Sequence, residues 1–133
     1  MSTILKFEDL EIWRQARMLS FEVFKAAQKP PFSSDFRFRD QIRAAAGSAM
    51  DNIAEGFERS SRLEFIHFLG IAKGSCGEVK SQLYRALDQN YISNDLFNEL
   101  YEGYTKLASG IAAFIIYLNK TEARGLRVKD RNQ

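Results

Sequence analysis

Cysteine, proline and histidine are scarce in this sequence, and each scarcity excludes something. The single cysteine, Cys76, cannot close a disulfide within the chain, so a reducing, cytoplasmic setting is expected. The Asn119-Lys120-Thr121 sequon is then read as a chance match. The only two prolines are adjacent, Pro30 and Pro31, so the chain has one proline-bearing break and is expected to be helical nearly throughout. No apolar run approaches the roughly 20 residues that a membrane-spanning helix needs; the longest strongly apolar stretch is Ile111 to Leu118. Met1 to Leu10 is mixed and charged, without the apolar run of a signal peptide. No stretch alternates apolar and polar residues over a strand's length.

What is present suits one folded domain. The chain has 133 residues, 45% hydrophobic and 27% charged, enough apolar material for a core and too little charge imbalance for disorder. The net charge of +2 is unevenly spread. Residues 1–119 carry 14 Lys/Arg against 15 Asp/Glu, a balance of −1. Residues 120–133 carry five basic residues against Glu122 and Asp130, a balance of +3, and have no apolar stripe. The expected organisation is a bundle domain over 1–119 followed by a basic tail over 120–133.

Four segments show helical periodicity. About Phe7 to Ala27, the residues Leu10, Trp13, Ala16, Val23 and Phe24 fall on one side. After the prolines, Ser33-Ser34-Asp35 offers capping oxygens to a second segment, about Asp35 to Phe57, which aligns Phe38, Ile42, Ala45, Ala49 and Ile53. Gly56 near its end is expected to act as a C-terminal stop, with Glu55 and Arg59 an i,i+4 pair. Ser61-x-x-Glu64 is a capping box opening a third segment. Its stripe is Phe65, Leu69, Ala72, Cys76, Val79, Leu83 and Leu87, and the Asn90 region breaks it. Ser93 caps the fourth, which aligns Leu96, Leu100, Tyr104, Leu107, Ile111, Phe114 and Leu118. The fold class is therefore all-α, an up-down-up-down four-helix bundle.

Two of the helices carry more than the one apolar stripe a solitary bundle requires. On the third, Gly70, Gly74, Gly77 and Ser81 line up opposite the core stripe, flanked by Ile66 and Ile71. A mid-helix glycine costs about 1 kcal/mol relative to alanine, so three in register point to close approach by another backbone. The fourth helix, with Ala112 and Ile116 in its run from Ile111 to Tyr117, is apolar almost all round. A second copy of the chain is the expected cover for both faces.

Particular motifs carry more than periodicity does. The chain opens with Phe7-Glu8-Asp9-Leu10-Glu11-Ile12-Trp13. Helix two carries Gln41-Ile42-Arg43-Ala44-Ala45, Ser48, and Asn52-Ile53-Ala54-Glu55-Gly56 with Arg59. Helix three carries Glu64-Phe65, Phe68-Leu69, Ile71-Ala72-Lys73-Gly74-Ser75 and Glu78. Over residues 7 to 118 the sequence resembles the family of four-helix bundle proteins, or 23S ribosomal RNA intervening-sequence proteins. It departs from that pattern at Gln41-Ile42-Arg43-Ala44, where the family often doubles the arginine, and at Cys76-Gly77, where a larger residue is usual. The resemblance implies a ring-like homo-oligomer, a pentamer, with no catalytic activity. It also implies relatives of two kinds: proteins encoded within insertions in ribosomal RNA genes, and accessory proteins of diversity-generating retroelements, which are similar to binders of a reverse transcriptase and of nucleic acid.

Catalytic chemistry has no foothold in the residues. His67 follows Glu64 in a Glu-x-x-His element, but a di-iron bundle needs two such elements and two further glutamates, and this is the one histidine. Cys76 sits on the core stripe with no histidine at a recognisable spacing. No phosphate-cradling glycine loop and no C-x-x-C occurs. Neither a cofactor, a metal nor a small-molecule substrate is expected, and no enzyme. Gln41, Ser48, Asn52, Glu55 and Arg59 share a stripe at about a right angle to the apolar one, read as inter-helix hydrogen bonds and an ion pair. The basic candidates for phosphate contact are Arg37, Arg39 and Arg43 at the start of helix two, Arg59 and Arg62 at the next connection, and Arg124, Arg127, Lys129 and Arg131 in the tail. The leading expectation is a non-catalytic oligomeric scaffold that binds RNA, DNA or a nucleic-acid-handling protein. The alternative is a protein-interaction ring indifferent to nucleic acid.

Overall fold

The computed structural model of the chain describes residues 4–120. Four α-helices follow one another: α1 (Glu11–Ala27), α2 (Phe36–Glu58), α3 (Arg62–Asp88) and α4 (Asn94–Lys120). Short 3-10 turns at Phe7–Asp9 and Phe32–Ser34 precede α1 and α2, and no described residue belongs to an extended strand. The first segment is thus divided where one helix was expected, because Leu10 adopts extended backbone and its side chain turns into the core. Each helix packs on its neighbour in sequence, and α1 closes the bundle against α4.

The helix ends follow local chemistry. The Asp35 carboxylate accepts a hydrogen bond from the Phe38 N–H at 3.3 Å and caps α2. Ser61 Oγ accepts from the Glu64 N–H at 3.1 Å and donates to the Glu64 carboxylate at 3.3 Å, so Ser61 caps α3, with a side-chain bond where the expected capping box has one to the backbone. Ser93 Oγ accepts from the Leu96 N–H at 3.1 Å at the start of α4. Between α3 and α4 the chain turns through Asn90 with φ 61°, a left-handed conformation that asparagine tolerates better than most residues. Tyr91 in that turn donates to the Asp35 carboxylate at 2.7 Å and stacks on Phe32 at 5.0 Å, tying the α1–α2 and α3–α4 connections together at one end. The bond to Asp35 raises the pKa of the Tyr91 hydroxyl.

The core consists largely of the expected stripes. Trp13, Ala16, Val23, Phe38, Ile42, Ile53, Phe65, Leu69, Val79, Leu100, Tyr104 and Ile111 are all buried. Phe24, Leu87, Leu96 and Phe114, placed on those stripes by rotation, are only half-buried; the last three pack against the core from its edge, and Phe24 lies under Arg43. Gly56 does not stop α2, which runs through Glu58. A Cβ there would lie 2.8 Å from the Phe68 Cβ and 3.0 Å from the Phe65 ring, so glycine is required by the close approach of α3. Lys120, assigned to the tail, is the last residue of α4.

Candidate nucleic-acid and self-association surfaces

The polar stripe of α2 resolves into bonds inside the bundle. Ser75 Oγ and Ser48 Oγ are hydrogen-bonded at 2.9 Å across the α2–α3 contact. Asn52 Nδ2 donates to the Ser48 carbonyl and hydroxyl at 2.9 and 3.0 Å. Arg59 pairs with Glu55 at 3.1 Å and with Glu64 at 3.9 Å, and its guanidinium lies 4.7 Å from the centre of the Phe68 ring. Gln41 and Ser48 border a polar groove of about 500 Å³ between α2 and α3, with Glu78, Ser81, Gln82 and Arg85 on the opposite wall. Of the expected inter-helix set, the Ser48–Ser75 bond and the Arg59–Glu64 pair join α2 to α3, whereas the Asn52 bonds and the Glu55–Arg59 pair run along α2 itself and Gln41 is exposed.

The arginines set aside for phosphate contact fall into two separate groups. Arg39 and Arg59 are 20 positions apart on α2, which at 1.5 Å per residue is about 30 Å. At the far end Arg59 is held as described, and Arg62 donates to the Leu118 carbonyl at 3.4 Å, joining α3 to the end of α4. At the near end Arg37 is exposed, Arg39 pairs with Asp40 at 3.0 Å and covers Phe36 at 5.1 Å, and Arg43 lies 4.6 Å over the Phe24 ring. Arg124, Arg127, Lys129 and Arg131 lie outside the described residues.

Sequence reasoning missed a face of α1 that adjoins the near group. Arg14, Arg17, Met18, Phe21 and Lys25 recur at helical spacing on the side away from the core, with Phe24 at its margin. Met18 and Phe21 are 61% and 57% exposed. The Phe21 and Phe24 rings are nearly parallel, 12° apart, with centroids 6.5 Å from each other. Lys25 sits 4.9 Å over Phe21, and Arg17 lies 5.9 Å from the Trp13 ring. The i, i+3, i+4, i+7 pattern of Arg14, Arg17, Met18 and Phe21 was present in the sequence, but it merges at Phe24 with the core stripe.

The glycines of α3 face open space. A Cβ at Gly70, Gly74 or Gly77 would meet nothing within 4 Å, and Ser81 on the same line is exposed. Ile71 is 40% and Leu63 66% exposed beside them, and Ile66 is half-buried toward α4. Phe65 and Phe114 rings meet at 5.5 Å, so the start of α3 lies beside the end of α4, where Ile116 is 55% exposed and Ala112 half-buried. Among the described residues nothing calls for glycine at these three positions.

The reactive side chains singled out in the sequence fall in different environments. Cys76 is fully buried, and burial pushes its thiol up to about 11 against the opposing pull of Lys80 and Lys73. The Tyr104 hydroxyl is buried without a hydrogen-bond partner among the described residues, and burial raises its pKa too. His67 is exposed, its ring 5.4 Å from that of Phe68. Among the described residues no group of three His, Cys, Asp or Glu side chains could hold a metal ion, and no helix is long and apolar enough to cross a membrane.

Comparison with known proteins fits this architecture. A crystal structure of a protein with unknown function from the S23 ribosomal protein family of Bacteroides thetaiotaomicron superposes with a TM-score of 0.74 at 19% identity. The match covers 79% of this chain and 95% of that one, and at this identity it speaks for the fold alone. No curated protein matches the sequence. Residues 8–113 match the family of 23S rRNA-intervening sequence proteins, a span that takes in most of the bundle from the turn before α1 into α4, and the chain belongs to that family.

Proposed function

We propose that the protein is a non-catalytic scaffold that assembles with copies of itself and binds nucleic acid through its phosphates. The observation that carries this reading is a division of charge. Residues 11–43 hold seven Lys/Arg against four Asp/Glu, whereas residues 44–119 hold six against nine. The cationic side of the bundle is therefore α1 with the first turns of α2. Among the described residues no ion pair engages Arg17, Arg37 or Arg43. Cations without carboxylate partners are available to phosphate oxygens, and such contacts act without reading sequence.

Self-association is supported by the open glycine line of α3 and by the exposed Leu63, Ile71 and Ile116. Repetition around a closed ring multiplies a local charge of +3 by the number of subunits. A titration of structured RNA and duplex DNA against full-length protein and a 1–120 truncation, across salt concentrations, tests the reading. Affinity should fall linearly in the logarithm of salt concentration, with a smaller slope for the truncation. Absence of binding at low salt by both the full-length and the truncated protein rejects it. The near-neutral balance of residues 1–119, at −1, favours a second reading, a ring that binds only proteins. In that case removal of residues 121–133 leaves partner capture intact.

A further inference from the structure

The outward face of α1 is unusual for a bundle surface because its exposed side chains are flat and apolar while their neighbours are cationic. Phe21 stands exposed with Met18 beside it, and the half-buried Phe24 ring lies nearly parallel to it, with Lys25 over one ring and Arg43 over the other. Arg17 borders the same groove, of about 730 Å³, as does Arg14, which is held by the Glu11 carboxylate and the Glu8 carbonyl at 2.9 Å each. Arg43 covers Phe24 from α2, so among the described residues Arg17 and Arg43 are the cations of this face without a carboxylate partner. That volume lies within the range of about 300–1,000 Å³ typical of small-ligand sites. A solvated helix face has no use for these rings. Aromatic, methionine and arginine side chains together also make subunit contacts, so native mass is one readout of the test below.

Resting on the nucleic-acid reading above, we propose that this face is a stacking platform for unpaired bases of a single-stranded polynucleotide. Aromatic rings take up bases on their π-faces, and flanking guanidinium groups meet the backbone between them. A duplex hides its base faces in its own stack, so Phe21 and Phe24 would contribute nothing to duplex binding. The occupant is defined by that pairing of flat apolar surface with cations: a strand with accessible bases and phosphates, RNA or DNA. One turn before Arg43, the Arg39–Phe36 pair continues the same chemistry along α2.

The test measures binding of fluorescent oligo(U), oligo(dT) and a blunt duplex of equal charge to full-length protein and to Phe21→Ala. Phe21 is exposed, so circular dichroism should be unchanged in the variant. Loss of one stacked base predicts a roughly 5- to 150-fold weaker affinity for both single strands, with an unchanged salt slope and unchanged duplex binding. Arg17→Gln should instead lower the single-strand salt slope by about 0.7. Equal loss on duplex and single strands, or no loss in Phe21→Ala, overturns the platform and leaves phosphate binding standing. No binding of any polynucleotide by the wild type removes both. A change of native mass in Phe21→Ala, or loss of binding to anionic vesicles without any oligonucleotide binding, assigns the face to a subunit contact or to lipid and overturns the proposal.

Discussion

The outer faces of α1 and α3 both point away from the core, and they depart from an ordinary solvated helix face in opposite ways. The α1 face carries large side chains, Met18 and Phe21, with Arg14, Arg17 and Lys25 around them. The α3 face carries almost none: Gly70, Gly74 and Gly77 leave bare backbone, and no neighbouring atom would obstruct a Cβ. One face offers chemistry, flat π-surface and charge; the other offers shape, a helix that a second backbone can approach closely. On the proposed function, the difference divides the work of the two exposed sides, ligand contact on one and assembly on the other.

The strongest test of that division is Gly74→Leu. The side chain enters open space in the single chain, so helix content should be retained while native mass falls to that of the monomer, as read by light scattering. An unchanged mass would put the subunit contact elsewhere. Next in size is Gly56→Ala, whose Cβ would sit 2.8 Å from the Phe68 Cβ. It should lower stability by about 1–3 kcal/mol in a denaturant titration, because α3 cannot move off without opening the core. Ser48→Ala should cost about 1 kcal/mol by the same measurement, removing the hydroxyl that Ser75 bonds across the helix contact while Asn52 keeps the Ser48 carbonyl. Smallest is Gly74→Ala, which should raise monomer stability by about 0.5–1 kcal/mol while weakening assembly. The opposite signs of the two Gly→Ala changes separate a glycine that the chain's own packing requires from one that it does not.

Cys76 supplies a pH test of the core beneath both faces. Its thiol is raised from 9.0 to about 11 by burial, so above pH 9 the unfolded chain releases a proton that the folded chain retains. That contribution to stability is full below pH 9 and declines as pH rises toward 11. Alkylation of Cys76 at pH 8 should proceed only at the rate of unfolding. Rapid modification of the native protein would contradict the burial.

The fold was largely legible because each helix carries its own periodicity and its own start. The Ser61 cap, the Ser93 cap and the break at Asn90 all form where local chemistry places them. The glycine line of α3 was legible too, since its rotation relative to seven core positions is set within one helix. What escaped depends on neighbours distant in sequence. Gly56 reads as a stop because glycine near a helix end usually is one, whereas its cause is Phe65 and Phe68 on the next helix. Phe24 lies 20° from Trp13 on a 100° wheel and so reads as core, yet in the bundle its ring is covered by Arg43. The sequence already separates the arginines at the start of helix two from Arg59 and Arg62 at the next connection, but does not show that the far pair is occupied by Glu55, Glu64 and the Leu118 carbonyl, about 30 Å from the near group.

The central claim is an assembled scaffold that binds nucleic acid, and sedimentation velocity of the full chain with a labelled single-stranded RNA tests both halves together. A protein boundary heavier than the 15.3 kDa monomer is expected. The RNA should co-sediment with this boundary at low salt and be released as salt rises. A monomeric boundary, or an oligomer that leaves the RNA behind at low salt, would contradict the claim.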